Sequence, residues 1–200
     1  ERRNRLLAVI QHDVHRLDRL ISDISDASRL DAELTREAVE PVDLADMLRT
    51  LVEIETTALE ERPGPSLRLE VASSIRDRAL VNGLEVRLGQ VFRNLIANAR
   101  SFSPPGGRIE LRLAARDGQI VVTVEDEGPG IQPGKEDAIF ERFYSERPVA
   151  EAFGSHSGLG LSISRQIMAA HGGTLIAENR LAPDRTVIGA RFTAALPSAG

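Results

Sequence analysis

The run Arg93-Asn94-Leu95-Ile96-Ala97-Asn98-Ala99 decides how the rest of this chain is read. It lies inside residues 85–101, where Val86, Leu88, Val91, Phe92, Leu95, Ile96 and Ala99 recur at spacings of three and four. That period predicts one amphipathic helix. Asn94 and Asn98 stand four residues apart, so both carboxamides project on one side of it, flanking the apolar stripe. A carboxamide carries an oxygen acceptor and two N–H donors on one headgroup. Two of them in line suit a magnesium ion with its waters, or a polyphosphate. The spacing alone also fits one solvent-facing Asn beside one buried structural Asn.

Composition narrows the field. The chain has 200 residues, 42% of them hydrophobic, enough for one domain with a sizeable core and an appendage. It has no Cys, which excludes disulfides and thiolate metal sites. A formal net charge of -5 argues against nucleic acid as a partner. No apolar run approaches the roughly 18 residues of a membrane span, and no secretory signal opens the chain. Glu1 falls within a charged helical pattern, which reads as a piece of something longer.

Residues 1–40 form one unit in this reading. Leu7, Ile10, Val14, Leu17, Ile21 and Ile24 make an a/d seam, and Leu6, Leu20, Ala27 and Leu34 widen it as in a helical bundle. His12 and His15 fall off the seam and read as solvent-facing. The segment ends at Glu40-Pro41-Val42-Asp43, where Asp43 can cap the next helix, with Asp46 three positions on.

Residues 41–200 form the main domain. A helix is expected over 44–61, then strands at Leu67 to Val71 and Ala79 to Val81. The central helix follows, then strands around Ile109 to Leu113 and Ile120 to Val124, joined by an Asp117-Gly118 hairpin turn. A short helix or helical turn over 138–144, a helix over 159–170 and strands at 174–177 and 187–196 complete the set. The expected class is α/β (α+β): a two-layer sandwich, with helices over one face of a mixed, mostly antiparallel sheet.

Two glycine-rich stretches carry the remaining chemistry. Asp126-Glu127-Gly128-Pro129-Gly130-Ile131 follows directly on a strand. A carboxylate there can accept from an exocyclic amine, and Gly128 and Gly130 let backbone approach a flat ring. The same letters also fit an ordinary strand-to-loop turn. Ser157-Gly158-Leu159-Gly160-Leu161 opens a helix whose free amides can hold phosphates, or is a loop leading into it. It is not a Walker A loop, because it lacks GK[ST], and no strand feeds it as a dinucleotide fingerprint requires. His171 ends that helix beside Gly172 and Gly173 and reads as structural.

Four motifs in order resemble the ATP-binding domain of sensor histidine kinases of two-component systems. Asn94 to Ala99 resembles the N box, Asp126 to Gly130 the G1 box, Ile139 to Tyr144 the F box, and Ser157 to Leu161 the G2 box. The wider relatives are ATPases of the gyrase, Hsp90 and MutL type, and residues 1–40 resemble the second helix of the family's dimerisation and phosphotransfer hairpin. The resemblance implies the Bergerat ATP-binding fold, with ATP and Mg²⁺ as cofactors. It implies Asn98 on the magnesium, Asn94 orienting water or phosphate, and Asp126 accepting from the adenine amine. Gly128 and Gly130 would lie near the ring and Phe102 against the nucleotide. Ser157, Gly158, Leu159 and Gly160 would line the phosphates. Residues 129–157 would form a mobile lid anchored by Phe140 and Phe143. The implied partners are ATP or ADP, a response regulator receiver domain, and a second copy through the hairpin. The full-length protein would be anchored in the bacterial inner membrane with this part on the cytoplasmic side.

The chain departs from that pattern at three places. Ser101 stands where the family has Lys or Arg, and Ser145 where it often has Arg, with Arg100, Arg142 and Arg147 as possible replacements. His12-Asp13 lacks the Pro that follows the family's phosphoacceptor, so the acceptor is expected on another helix and the chain inactive in cis. The leading expectation is therefore the catalytic part of a histidine kinase. Its alternatives are a nucleotide-sensing or dimerising module without transfer, and an independent ATPase.

Overall fold

A computed structural model describes residues 39–60, 64–75, 79–144 and 158–199. The expectations placed on residues 1–38, including the helical seam, His12 and His15, lie outside the described residues, as do those on 145–157, including Ser157. In chain order the elements are β1 (Glu40–Asp43), α1 (Leu44–Glu60), β2 (Ser66–Val71), β3 (Leu80–Gly83), α2 (Glu85–Phe102), β4 (Arg108–Arg116) and β5 (Gln119–Glu125). A 3₁₀ turn (Ala138–Phe140), α3 (Gly160–Ala170), β6 (Thr174–Leu181) and β7 (Val187–Pro197) follow.

The main sheet has strand order β2-β4-β5-β7-β6. β2 and β4 are parallel and every other neighbouring pair is antiparallel. Alternation along the strands sorts side chains into rows. Leu111, Val124, Phe192 and Ala177 form one row and Leu113, Val122, Ala194 and Leu175 the next, all turned to the helices. The opposite face carries Glu110, Glu125, Arg191 and Glu178 in a single row. α2 lays Leu88, Val91, Phe92, Leu95, Ile96 and Ala99 on the apolar face. Each large side chain buried this way contributes about 1.5–3 kcal/mol, so this stripe fixes the rotation of α2 and hence the direction of its polar edge.

The β4–β5 hairpin turns as expected. Asp117 and Gly118 both have positive φ, at 51° and 73°, the geometry that matches the twist of two adjacent strands. Asp43 caps α1 through Oδ1, which accepts from the Ala45 N–H at 3.0 Å and also from the Ala79 N–H at 3.2 Å. Asp46 instead pairs with Arg49 at 2.6 Å.

Two local readings change. Residues 40–43, read as a segment end, are strand β1, paired with β3 in a separate two-stranded sheet with Val42 opposite Val81. Four residues with one apolar side chain turned inward are too few for a period to show. Of the short helix or helical turn expected over 138–144 the turn forms, as the 3₁₀ segment Ala138–Phe140, and the reading that changes there is that of Phe143. Phe140 is buried and meets Phe192 edge to face at 6.4 Å, whereas Phe143 has φ 66° and is 62% exposed. Phe140 alone of that pair anchors this segment to the core. His171 is structural as read: its Nδ1 lies 2.7 Å from the Ile167 carbonyl and its Nε2 accepts from the Leu84 N–H at 3.0 Å. It ties the end of α3 to the start of α2, whose preceding residue Leu84 supplies no side-chain cap.

Candidate functional site

α2 is the spine of the site. Asn94, Asn98 and Phe102 follow one another at four-residue steps, about 6 Å each along the axis. Asn94 reaches the start of α3: its Nδ2 donates to the Gly160 carbonyl at 3.2 Å and to Ser164 Oγ at 3.3 Å. The two residues are in contact range: a Cβ on Gly160 would lie 3.5 Å from Asn94 Cγ, an ordinary van der Waals distance. Phe102 reaches the other glycine-rich stretch. A Cβ on Gly128 would stand 3.0 Å from the Phe102 carbonyl oxygen and 3.1 Å from its Cβ. Asn98 lies between these two contacts, half-buried, and no hydrogen bond engages its carboxamide among the described residues.

The start of α3 is built for close backbone packing. Gly158 has φ 70°, and a Cβ on it would sit 2.9 Å from the Tyr144 carbonyl oxygen. Its own carbonyl accepts from the Phe143 N–H at 3.0 Å. Leu159 is buried in the core, so only its backbone faces the approach to the helix. The amides of the first turn of an α-helix have no intrahelical acceptor and attract anions. The part of the segment 129–157 that is described holds to the body through Phe140, and through Arg165 of α3. Arg165 pairs with Asp137 at 3.1 Å and covers the Phe140 ring at 4.9 Å.

Asp126 stands just past β5 and is 2% exposed. Its Oδ1 accepts from the Gly128 N–H at 2.8 Å and the Ala190 N–H at 3.1 Å, while Oδ2 has no hydrogen bond among the described residues. Burial pushes the carboxyl above its ordinary value, the Ala190 and Gly128 amides and Arg180 pull it down, and Glu125 adds to the rise. The result is a shielded carboxyl group with one oxygen fixed and one available, the arrangement needed to read a single N–H donor. Gly130 has φ 78°, in the left-handed region, and closes the loop against Asn179 and Val187.

The structure therefore joins the polar edge of α2 to Gly128 and Asp126 through Phe102 and to Gly160 through Asn94, with Asn98 between; Gly130 lies instead against Asn179 and Val187, and Gly158 against Phe143 and Tyr144. Of the three arginines near the positions where the family has a cation, Arg100 pairs with Glu55 of α1. Arg142 is exposed, and Arg147 lies outside the described residues. Three residues that sequence reasoning passed over belong here as well. Asn179, Arg180 and Gly189 all contact the loop 126–131 or approach it. A glycine inside a strand pattern, as in Val187-Ile188-Gly189-Ala190, was the available signal that another backbone comes close.

No group of three or more His, Cys, Asp or Glu side chains able to hold a metal occurs among the described residues. The Asn98 carboxamide oxygen is a donor of the kind magnesium accepts alongside water and phosphate oxygens. No helix among the described residues is long and apolar enough to cross a membrane.

Comparison with known proteins agrees with this geometry. Residues 83–200 match the family of histidine kinase-, DNA gyrase B- and HSP90-like ATPases. The chain is 54% identical, over 99% of its length, to the sensor protein ChvG of Rhizobium meliloti (strain 1021), of which it covers 35%. Among solved structures it is similar to a mycobacterial sensor histidine kinase, MprB. There the TM-score is 0.66 and the identity 31%, over 80% of this chain and 97% of that one. It is also similar to ShkA in complex with AMPPNP, with TM-score 0.77 and 26% identity over 100% of this chain and 39% of that one. The chain belongs to the histidine kinase-, gyrase B- and HSP90-like ATPase family, as an ATP-binding catalytic domain of the sensor histidine kinase branch with the Bergerat fold. Within that branch its likeness is to the ChvG sensor proteins, and it spans about a third of the length of the curated relatives it matches.

Proposed function

We propose that this domain binds Mg-ATP along the polar edge of α2 and donates its γ-phosphoryl group to a histidine outside residues 41–200, from which an aspartate of a response regulator takes it. The observation that carries the proposal is the double attachment of α2. Asn94 bonds to the start of α3, Phe102 packs on Gly128 beside Asp126, and the unengaged Asn98 carboxamide stands between them. Adenine recognition, metal ligation and phosphate binding then follow in line along one helix face.

Each residue has a physical task in this reading. The free Oδ2 of Asp126 accepts from the adenine amine, and burial keeps water from competing for it. Phe102 lies along the nucleotide. Asn98 offers its carboxamide oxygen to magnesium, which supplies charge neutralisation on the phosphates. Asn94, with its amide directed to Gly160 and Ser164, holds the anion-binding turn in place and turns its oxygen to water or phosphate. The backbone amides at Gly158, Leu159, Gly160 and Ser157 bind phosphate oxygens. In the transfer, the bond between the γ-phosphorus and its bridging oxygen breaks as a phosphorus–nitrogen bond to imidazole forms, and ADP leaves. The domain's contribution is positioning and charge stabilisation. Residues 1–40 act as a helix of the dimerisation hairpin, and the longer protein works as a membrane-anchored homodimer on the cytoplasmic side.

A second reading has one specific observation in its favour. Ser101 replaces a cation, and Arg100 beside it is held by Glu55, so a domain that senses nucleotide without transferring phosphate is its natural competitor. Titration with Mg-AMPPNP tests the shared premise: one saturable site is expected, and no binding contradicts both readings.

A further inference from the structure

β6 is the edge strand of the main sheet, yet two adjacent residues on it reach past β7 to the loop that follows β5. Asn179 is half-buried. Its Oδ1 accepts from the Ile131 N–H at 2.6 Å and its Nδ2 donates to the Ile131 carbonyl at 2.7 Å. One carboxamide thereby satisfies both backbone groups of Ile131, as a neighbouring strand would. Arg180 leaves the strand on the opposite face, as alternation requires. Its Nη1 donates to the Asp126 carbonyl at 2.6 Å and its Nε pairs with Glu125 at 2.8 Å. Glu125 is held in turn by Arg191 at 2.6 Å.

The loop is thus gripped at its first residue from one face of the sheet and at its last from the other. The register adds to this. Asn179 lies opposite Ala190, whose amide bonds Asp126 Oδ1, and Arg180 lies opposite Gly189. There is no slack between them. Gly189 has φ 148°, and a Cβ on it would come 1.9 Å from the Asp126 carbonyl oxygen; one on Gly130 would come 2.5 Å from Asn179 Oδ1. Any displacement of these two side chains is passed to the loop backbone.

We infer that Asn179 and Arg180 are positioning residues for adenine recognition, a two-sided clamp that fixes residues 126–131 so that the free carboxyl oxygen of Asp126 meets the base. The inference rests on the proposed role of Asp126. Neither residue touches the nucleotide. Both act through backbone, and their influence falls on the base and not on phosphate binding at the start of α3.

The test compares Asn179→Ala, Arg180→Met and Arg180→Lys with the wild-type chain, by titration with Mg-ADP and Mg-GDP and by thermal melting. Asn179→Ala and Arg180→Met are expected to weaken ADP about tenfold each, the consequence of losing one well-placed hydrogen bond at the base. The preference for ADP over GDP falls with it. Arg180→Lys recovers most of both, because an ammonium can serve the same carbonyl and Glu125. A merely structural role lowers the melting temperature and leaves the ADP-to-GDP ratio unchanged. A second measurement needs no variant: in the wild-type chain without nucleotide, the Ile131 amide is slow to exchange its hydrogen. Wild type that binds ADP selectively, with folded variants unchanged in affinity and preference, overturns the clamp and leaves the role of Asp126 standing. Wild type with no adenine preference overturns both. Should the variants not fold, an Ile131 amide exchanging at the unprotected rate overturns the clamp and a protected one upholds it.

Discussion

Asn94 donates to the Gly160 carbonyl at 3.2 Å, so the polar edge of α2 and the first turn of α3 are joined by one carboxamide. The same Nδ2 reaches Ser164 Oγ, which itself donates to Gly160 at 2.8 Å. Asn94→Ala removes the joint and leaves a part-buried carbonyl and hydroxyl with one partner fewer. It should cost about 1–2 kcal/mol of stability and lower the melting temperature by about 2–4 °C for each kcal/mol. Mg-ATP affinity should fall as well. A variant that melts and binds like the wild type removes Asn94 from both roles.

Asp126→Asn separates recognition from folding. An amide oxygen can still accept from Gly128 and Ala190, but its nitrogen then faces the adenine amine, donor against donor. Affinity for ADP should drop by the roughly 1.5–3 kcal/mol of a charge-assisted hydrogen bond, about 10- to 100-fold. The fold should not suffer. Because burial holds the native carboxyl above its ordinary value, Asp126 contributes stability fully below the unfolded value and loses it as pH rises through the raised native one. The Asn variant has no such loss, so its apo melting temperature should gain on the wild type as pH is raised from acid to neutral. A widening deficit for the variant over that range contradicts the assignment.

Magnesium dependence follows from the donor set. With Asn98 as the protein's ligand and no carboxylate cluster among the described residues, the ion should bind only with nucleotide. Calorimetry should show ATP affinity reduced by EDTA in the wild type and insensitive to it in Asn98→Ala. Equal affinity with and without EDTA in the wild type sinks the metal role of Asn98.

Much of this was legible because burial and site share one period. The stripe from Leu88 to Ala99 that fixes α2 in the core also dictates where Asn94, Asn98 and Phe102 emerge; spacing put the two Asn on one side, and the resemblance singled out that edge and Phe102. Asp117-Gly118 was legible for a local reason, since few residue pairs tolerate two positive φ values. What stayed hidden depends on contacts distant in sequence. Nothing near Arg100 announces Glu55, 45 residues away. Asn179 and Arg180 fall past the strand expected at 174–177, and β6 runs on to Leu181 to carry them to the loop after β5. β1 was missed because its partner β3 is what makes it a strand. The family resemblance implied Phe143 as a second lid anchor, but its left-handed backbone turns it out to solvent.

Neither His12 nor His15 should accept phosphate from this domain. Taking Leu7 and Ile10 as a and d, both histidines fall off the seam, His12 with no proline after it and His15 with no acidic neighbour. Incubation with γ-labelled ATP should leave the peptide containing Val9 to Arg19 free of acid-labile phosphate. Stoichiometric label that disappears in His12→Gln or His15→Gln would show that the chain carries its own acceptor.

The central claim is phosphoryl transfer to histidine, and it is tested most directly by supplying the acceptor. The chain would be mixed with the separate dimerisation hairpin of a ChvG sensor protein, with γ-labelled ATP and magnesium. The account predicts acid-labile, base-stable label on the hairpin's histidine, abolished by EDTA and, at sub-saturating ATP, slowed about 10- to 100-fold by Asp126→Asn. ATP converted to ADP with no label on the hairpin would contradict it and make the chain an independent ATPase; nucleotide bound but never turned over would make it a sensor of nucleotide alone.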